Sequence, residues 1–394
     1  MTRSPVVLAL IAAALVATWW GITVNLNYNS NWTALFCTGD KWKLPPELEA
    51  GTYRFPNSTG YDGQFYRIVA HDPGLTAGYR FYTDAHALRW RRILVPGIAW
   101  ALAFGDQSRI DAAYIATVLG FSVLGVYALS LWLNRKGRNP MGGLLFLLLP
   151  GTLISIDRMT VDIALYALIF LCLLWDEEQK YIPLWFALAA CPLVRDLGFL
   201  VVGAFFAAEI IARRYQRALW TLSAVLPTVA WYIYVRAHIV GPVTSPLVVT
   251  PEVATWVFAQ SGYGIFLRMF SPTHYDLAPA IAALAFVLDN VALIALMVAV
   301  AFTLALFRWR TARKEDWVGF AFAALFFVAS AESMWRDLYS WGRAYTPLLA
   351  AMTFADNPKI QRWAWLPLAL VTLRILLQFG TQLQGIVRAL LRHA

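Results

Sequence analysis

The chain has 394 residues, of which 60% are apolar and only 14% are charged, and its mean hydropathy is +0.57. So few charges cannot cover a soluble globule of this size, which excludes the soluble protein classes. The apolar runs are continuous and lack the two-residue alternation of outer-membrane strands. We therefore expect an all-α, polytopic transmembrane bundle that forms a single membrane domain over residues 1–394.

The net charge of +9 comes from Lys and Arg residues in short loops between the apolar runs. Basic residues at such positions set membrane topology, so we expect no nucleic-acid partner. The main clusters, at 134–138, 213–217 and 308–314, mark the cytoplasmic side. The three scattered cysteines indicate neither a disulfide framework nor a metal cluster.

Eleven apolar runs are predicted to cross the membrane. The first, at 5–26, is typical of an uncleaved signal anchor, which places the N-terminus inside together with the basic clusters. Several runs, including 163–175 and 182–194, are shorter than the usual span of ~20 residues, and we expect such helices to lie inside protein or to line a cavity. The runs lie at 5–26, 112–133, 141–156, 163–175, 182–194, 197–212, 218–235, 280–307, 317–331, 344–356 and 363–379.

The segment 93–105 is too short for a usual span and contains a proline and two glycines. We expect it to be re-entrant or juxtamembrane. Two long segments then face the outside: a first outer (periplasmic) loop at 27–92 with interfacial helices, and a second outer loop at 236–279. This topology predicts a multi-pass protein of the cytoplasmic (inner) membrane that contacts membrane lipids and whose polar residues face the periplasm.

The polar stretch GYDGQFYRIVAHDP, at 60–73, lies in the first outer loop. A helix that begins at Asp62 has one apolar and one polar face, as does a helix that lies in the membrane interface. The apolar face consists of Phe65, Ile68 and Val69, and the polar face of Gln64, Arg67 and His71.

Two interpretations of Asp62 remain open. Aspartate is among the best N-cap residues, so Asp62 can support the first-turn amides of this helix. It can also be a general base that faces a sugar hydroxyl, because Gly60 and Gly63 leave room beside it and Tyr61 and Tyr66 offer rings for stacking. The two interpretations are compatible.

A second polar segment, TDAHALRWRRILVP, follows at 83–96. Asp84 can cap a helix there, and Arg89 and Arg92, three residues apart, share one edge of it. These arginines can contact lipid headgroups. They can also clamp a phosphate on a lipid-linked substrate, a task that suits the planar guanidinium.

Three further polar groups are predicted at the outer ends of spans. Each alone is typical of a salt pair or a helix cap, but together they indicate one outward-facing cavity on the side of the first loop. The groups are Asp157, Arg158 and Asp162; Arg195 and Asp196; and the segment 332–343, which ends at Arg343. Trp335, Tyr339 and Trp341 fall near this cavity and could stack on a sugar.

No cofactor is expected. The histidines show no metal-ligand spacing, and although Asp62 could share a divalent cation with Asp72 or Asp84, the spacing does not require one. The sequence contains no Walker loop, no GxSxG and no HExxH motif. ATP-driven and serine-hydrolase chemistry are therefore unsupported.

The stretch YDGQFYRIVAHDP and the following R-x-x-R-I-L-x-P pattern of Arg89–Pro96 resemble polytopic bacterial membrane glycosyltransferases of the GT-C class. A looser similarity is to the mannosyltransferases of GPI-anchor assembly, which carry an aromatic-Asp-Gly sequence at the start of their first luminal loop. The close match covers only these two segments. In the rest of the chain the agreement is one of pattern: a long first outer loop, many spans, and polar residues at the outer ends of helices.

The resemblance implies an inverting transfer of a sugar from a polyprenyl-phosphate donor to a cell-envelope glycan, lipid or protein acceptor on the outer face. It implies that Asp62 is the base and that arginines hold the donor phosphate. The substrate-binding residues expected on this basis are Tyr61, Gln64, Tyr66, Arg89, Arg92, Asp157, Arg158, Arg195 and Arg343. Asp62 is followed by Gly63 and Gln64 and not by a second carboxylate, which leaves metal dependence open.

Two other functions are compatible with these residues. A transporter or flippase of a lipid-linked saccharide also needs a polar cavity, although it does not need a carboxylate fixed beside glycines, and it commonly shows pseudo-repeats that this sequence lacks. An inactive scaffold of envelope assembly could keep every one of these features. An activity measurement on wild type and Asp62→Asn separates the transferase from these two.

Overall fold

The computed structural model of the chain describes residues 4–239, 279–329, 334–335, 338–354 and 362–393. Over these ranges the protein is helical, and its only β-pairing is an isolated bridge between Gly39 and Phe55. The α-helices, numbered in chain order, are α1 Pro5–Asn27, α2 Pro46–Glu49, α3 Asp62–His71, α4 His86–Arg91, α5 Leu94–Leu102, α6 Ile110–Arg135, α7 Pro150–Arg158, α8 Asp162–Glu177, α9 Tyr181–Val194, α10 Gly198–Ile211, α11 Tyr215–Ser223, α12 Leu226–Ile239, α13 Pro279–Leu306, α14 Lys314–Val328, α15 Leu338–Phe354, α16 Leu366–Leu376 and α17 Gly380–His393. Short 3-10 helices occur at Trp32–Phe36, Tyr79–Tyr82, Pro140–Leu148 and Leu377–Phe379.

Five helical stretches in the described ranges are long and apolar enough to cross a membrane, which makes the chain a helical membrane protein. They are Pro5–Asn27, Ile110–Arg135, Tyr215–Ile239, Pro279–Leu306 and Leu366–Leu391. A sixth arises if Pro140–Leu148 and Pro150–Arg158 count as one span bent by 57°. The bend lies at Pro150, whose ring nitrogen cannot donate to the preceding turn. The predicted number of eleven spans stays a prediction.

The short helix α8 lies at the centre of the bundle. All of its residues from Asp162 to Leu174 are buried, so no face is left for lipid or water. A helix that is apolar all round is typical of such a position. The prediction that the run 163–175 lies inside protein is confirmed. The run 182–194 differs, because Ile182 and Phe186 of α9 are 72% and 64% exposed and face outwards.

The segment 93–105 forms α5, a helix of nine residues. At 1.5 Å per residue its length is about 14 Å, less than half the thickness of a hydrocarbon core. This length agrees with the expectation that the segment does not cross.

Helix α3 lies between two hydrophobic clusters and not on a membrane surface. Its residues Phe65, Ile68 and Val69 pack into a small core formed by the 27–92 segment and α12, while Tyr66 and Ala70 join the main core. Its predicted polar face is also buried, as described below. The expectation of an interfacial α3 is therefore wrong, because internal partners satisfy the polar side chains that periodicity assigned to water.

The two basic clusters at 134–138 and 308–314 meet at one end of the bundle. Lys136 is paired with Glu315, Lys314 is paired with Glu209, and Arg138 donates to the carbonyl of Phe354 at 2.6 Å. These contacts lie beyond the C-terminal end of α8. The polar residues of the candidate site lie at its N-terminal end, about 24 Å away along a helix of 16 residues.

Candidate functional site

Asp62 is the first residue of α3, as the sequence predicted, but it does not cap the helix. The N-cap position belongs to Tyr61, which makes no capping hydrogen bond through its side chain. Both carboxylate oxygens of Asp62 accept from arginines instead: Oδ1 from Arg89 Nη2 at 2.8 Å, and Oδ2 from Arg343 Nη1 at 2.7 Å. Arg343 is 281 residues away in sequence. The N-cap interpretation of Asp62 is therefore wrong.

The glycines beside Asp62 allow close packing of the backbone. They do not leave the room for a ligand that the sequence suggested. A Cβ atom on Gly63 would lie 2.1 Å from the backbone carbonyl of Arg158, and Gly60 has a left-handed φ of +69°. Gly63 therefore lets the start of α3 meet the end of α7 directly. This contact brings Asp62 next to the residues at the end of α7.

Arg89 is held from two sides. Asp84 accepts from its Nε and Nη2 at 2.7 Å each, and the guanidinium lies over the rings of Phe65 and Tyr66 at 4.8 and 5.2 Å from their centroids. The predicted cap role of Asp84 is wrong, because α4 begins at His86 without a side-chain cap. Asp84 lies five residues before Arg89, and this spacing was the only sign in the sequence that the two could pair.

Arg343 is held by a second carboxylate, Asp162 at the start of α8. Arg343 Nη1 donates to Asp162 Oδ2 at 3.2 Å, and Arg195 forms a close ion pair with Asp162 Oδ1. Asp162 is 1% exposed, so two guanidinium groups neutralise one fully buried carboxylate. The sequence favoured a salt pair or a helix cap for Asp162, and the structure shows a salt pair with two arginines from distant parts of the chain.

Arg92 extends the same group of charges towards α12. It donates to the Tyr66 hydroxyl at 2.8 Å and pairs with Asp196 at 3.4 Å. The hydroxyl of Tyr232 donates to the other oxygen of Asp196 at 2.7 Å. Arg89 and Arg92, which the sequence placed on one edge, thus share Tyr66 as a neighbour but pair with different carboxylates.

Arg158 packs against two aromatic rings that meet edge to face near Asp62. Its guanidinium is 5.0 Å from the ring centroid of Tyr61 and 4.8 Å from that of Tyr339, and Tyr61 is also 5.1 Å from the guanidinium of Arg343. Arg158 pairs with Asp157 at 3.1 Å, and Asp157 accepts from Gln382 of α17. Contact with two aromatic rings favours a guanidinium over an ammonium group here.

Other predicted residues lie outside this arrangement. Gln64 is buried, and its amide accepts from Gly39 N at 3.1 Å and donates to the Thr59 carbonyl at 2.8 Å, so it anchors the preceding loop and is not placed to bind substrate. Trp335 and Trp341 are fully buried in the main core, which removes them as stacking residues. His274, Glu332 and most of the second outer loop lie outside the described residues.

Together these contacts form one polar cluster with equal numbers of opposite charges. We call it the Asp62 cluster; it comprises Arg89, Arg92, Arg158, Arg195 and Arg343 with Asp62, Asp84, Asp157, Asp162 and Asp196. Two of its N–H donors, Nη1 of Arg89 and Nε of Arg92, are buried without an acceptor in the described part of the chain. The cluster therefore keeps donors that an additional anion could use.

The pairing determines the basicity of Asp62. Burial raises the pKa of its carboxyl, but the charges of Arg89 and Arg343 outweigh burial and hold that pKa well below its usual range. Burial lowers the pKa of the Arg89 guanidinium, but the charges around it, that of Asp62 foremost, outweigh burial and raise that pKa. In this arrangement Asp62 is a weak base, which the sequence analysis did not anticipate.

The described residues contain no group of three or more His, Cys, Asp or Glu side chains placed to hold a metal ion. Asp62, Asp84 and Asp162 are each paired with an arginine. Comparisons of the sequence with protein-family models and with curated proteins, and of the chain with solved structures, find no match.

Proposed function

We propose that the protein is an inverting, GT-C-like glycosyltransferase that moves a sugar from a polyprenyl-phosphate donor to a hydroxyl of a cell-envelope glycan, lipid or protein. The observation that carries the proposal is the meeting of Asp62 with Arg89 and Arg343 at one end of the bundle. A phosphate leaving group needs neutralisation of charge, which several arginines supply, and an acceptor hydroxyl needs one base. No other group of polar residues in the described ranges combines these features.

The proposed reaction is a single displacement. The acceptor oxygen bonds to the anomeric carbon while the bond from that carbon to the phosphate oxygen breaks, and the phosphate leaves with the electron pair. The hydroxyl proton passes to Asp62. Arginines of the Asp62 cluster stabilise the charge that develops on the leaving polyprenyl phosphate.

The proposal includes the topology. It places the protein in the cytoplasmic membrane of a bacterium, with the N-terminus on the cytoplasmic side and eleven spans in one membrane domain. The Asp62 cluster then faces the periplasm. The separation of the basic clusters from the Asp62 cluster by the length of α8 supports this polarity.

The test is transfer from a panel of radiolabelled polyprenyl-phosphate sugars to acceptors in lipid extract, with purified wild type and Asp62→Asn. We expect turnover by the wild type and a loss of at least ~10²-fold in the variant, the scale for removal of a general base. Asp106→Asn, the same change at an exposed turn outside the cluster, is the matched control and should keep full activity. Wild-type protein that binds these donors but turns none over would leave transport or an inactive scaffold as the function.

One observation favours transport as the second candidate. The bent pair Pro140–Leu148 and Pro150–Arg158 is a discontinuous helix whose end, Arg158, lies in the Asp62 cluster, and discontinuous helices are common at transporter sites. A flippase would move a fluorescent lipid-linked saccharide across the bilayer of proteoliposomes without chemical change. Equal flipping by wild type and Asp62→Asn would support it.

A further inference from the structure

Asp62 occupies N–H groups of Arg89 and Arg343, two of the arginines to which the proposed function assigns the donor phosphate. Its two oxygens accept from Arg89 Nη2 at 2.8 Å and from Arg343 Nη1 at 2.7 Å, so the carboxylate bridges two guanidinium groups. Two non-bridging oxygens of a phosphate bridge guanidinium groups in the same manner. The base and the leaving group therefore compete for the same donors.

The Asp62 cluster is already neutral, so it cannot take up a phosphate without a further change in charge or contacts. Its five arginines and five aspartates balance, so an added phosphate brings surplus negative charge into a largely buried site. Surplus buried charge is costly unless a carboxylate leaves its partners or takes up a proton.

Asp62 is the carboxylate that a phosphate would displace most easily from its arginines. Asp84 forms a bidentate pair with Arg89, Asp162 is also bound by Arg195, and Asp196 is also bound by the Tyr232 hydroxyl. The described contacts of the Asp62 carboxylate are those with the two arginines that a phosphate would bridge. Its side chain is 19% exposed, between the 1% of Asp162 and the 31% and 37% of Asp84 and Asp196, so it can turn without opening the core.

We infer, resting on the proposed function, that the donor phosphate and the Asp62 carboxylate exchange places on Arg89 and Arg343, so that binding of the donor frees the base. Paired with both arginines, Asp62 is a weaker base than a carboxylate without them. Freed from them and next to a phosphate, it regains basicity. The base then becomes competent only after the donor has bound, which orders the reaction.

Charged and titratable groups from several elements face Asp62 and enter any pH dependence. They are Arg89 of α4 with its partner Asp84, Arg343 of α15, Asp162 of α8, Arg195 between α9 and α10, Arg158 of α7, Tyr61 and Tyr66 beside and within α3, and Tyr114 of α6. Arg89 and Arg343 exchange the Asp62 carboxylate for the phosphate, and the other groups keep their partners.

Binding of geranylgeranyl phosphate to the purified full-length protein in detergent tests the exchange, with geranylgeraniol as the uncharged control. Asp62→Asn removes the competing carboxylate, so we expect the variant to bind the phosphate at least ~10-fold more tightly than wild type at pH 7. In wild type the phosphate must first replace the charge-assisted hydrogen bonds of Asp62. The difference should narrow towards pH 5, where the displaced Asp62 of the wild type takes up a proton and the Asn does not. The titration of the ligand itself is common to both proteins.

Asp84→Asn is the matched control, because it removes the same charge from Arg89 without removing the bridge. Equal tightening by Asp84→Asn and Asp62→Asn would show an effect of net charge alone and overturn the exchange, as would unchanged or weaker binding by Asp62→Asn. Asp62→Ser gives the same readout if the Asn variant does not fold. Neither result decides the proposed function, whereas a wild type and variants that bind phosphate and alcohol equally would remove both proposals.

Discussion

At the scale of single residues, Gly63 makes the approach of α3 to α7 possible. The Cβ atom of an alanine would lie 2.1 Å from the carbonyl oxygen of Arg158 and 3.0 Å from that of Phe36, and both are backbone atoms. Because backbone cannot yield as a side-chain end can, we expect Gly63→Ala to destabilise the protein by about 1–3 kcal/mol. Thermal unfolding in detergent measures the change.

Gly203→Ala is the matched control for Gly63→Ala. Gly203 lies inside α10, and an added Cβ atom meets nothing within 4 Å. Removing a glycine from a helix interior stabilises by roughly 0.5–1 kcal/mol, so the control should shift the unfolding temperature in the opposite direction. A Gly63→Ala protein as stable as wild type would contradict the close approach of the two helices.

Asp62 fits two local sequence patterns, an N-cap and an open site beside glycines, and the structure shows neither. Its position at a helix start is what an N-cap needs, and its glycine neighbours suggest an open site. In the structure the carboxylate turns to Arg89 and Arg343 and the glycines pack against backbone. Local pattern located the residue, and distant partners determined its chemistry.

At the scale of elements, α3 depends on a buried polar link to α6. Arg67 donates from Nε and Nη2 to the two oxygens of Asp111 at 2.7 and 2.8 Å, and His71 approaches the same carboxylate at 3.1 Å. Arg67 also donates to the Thr52 hydroxyl at 2.8 Å, which joins the preceding loop to the pair. These partners explain why the polar face of α3 is buried.

Breaking this link should cost stability. Asp111→Asn leaves the buried guanidinium of Arg67 without a charged partner, so we expect a loss of about 2 kcal/mol, the scale of a charge-assisted hydrogen bond. The exposed pair of Arg109 with Asp106 is the control, and Arg109→Gln should change stability little. Equal unfolding temperatures for Asp111→Asn and wild type would mean that hydrophobic packing alone holds α3.

At the scale of the whole molecule, two polar ends separated by the length of α8 define an orientation that labelling can test. In a protein without its native cysteines, Phe104→Cys presents a thiol at a site where the native side chain is 91% exposed, near the Asp62 end. Thr311→Cys presents one in the exposed basic turn at the other end. We expect a membrane-impermeant maleimide to label the first in intact cells and the second only after permeabilisation.

The reverse labelling pattern would invert the topology and place the Asp62 cluster in the cytoplasm. Labelling of both positions in intact cells would contradict a bundle that separates the two ends. The maleimide reaction on permeabilised cells is the control that both thiols are accessible.

The sequence by itself determined the features that depend on composition and local period. Low charge and continuous apolar runs gave the membrane class, and the pattern after Asp62 gave the start of α3. The polar residues near the ends of apolar runs pointed to Arg195 and Arg343 as charges that must find partners.

Only the tertiary structure decided which partners those charges have. The pairing of Asp62 with Arg343, the binding of Asp162 by two arginines and the burial of Gln64 join segments that are far apart in the chain. Hydrophobic periodicity and helix propensity describe an isolated helix, and on that basis the polar face of α3 was expected to face water. Hydrogen bonding and charge compensation are settled only when helices pack, since the cost of a buried charge depends on what surrounds it.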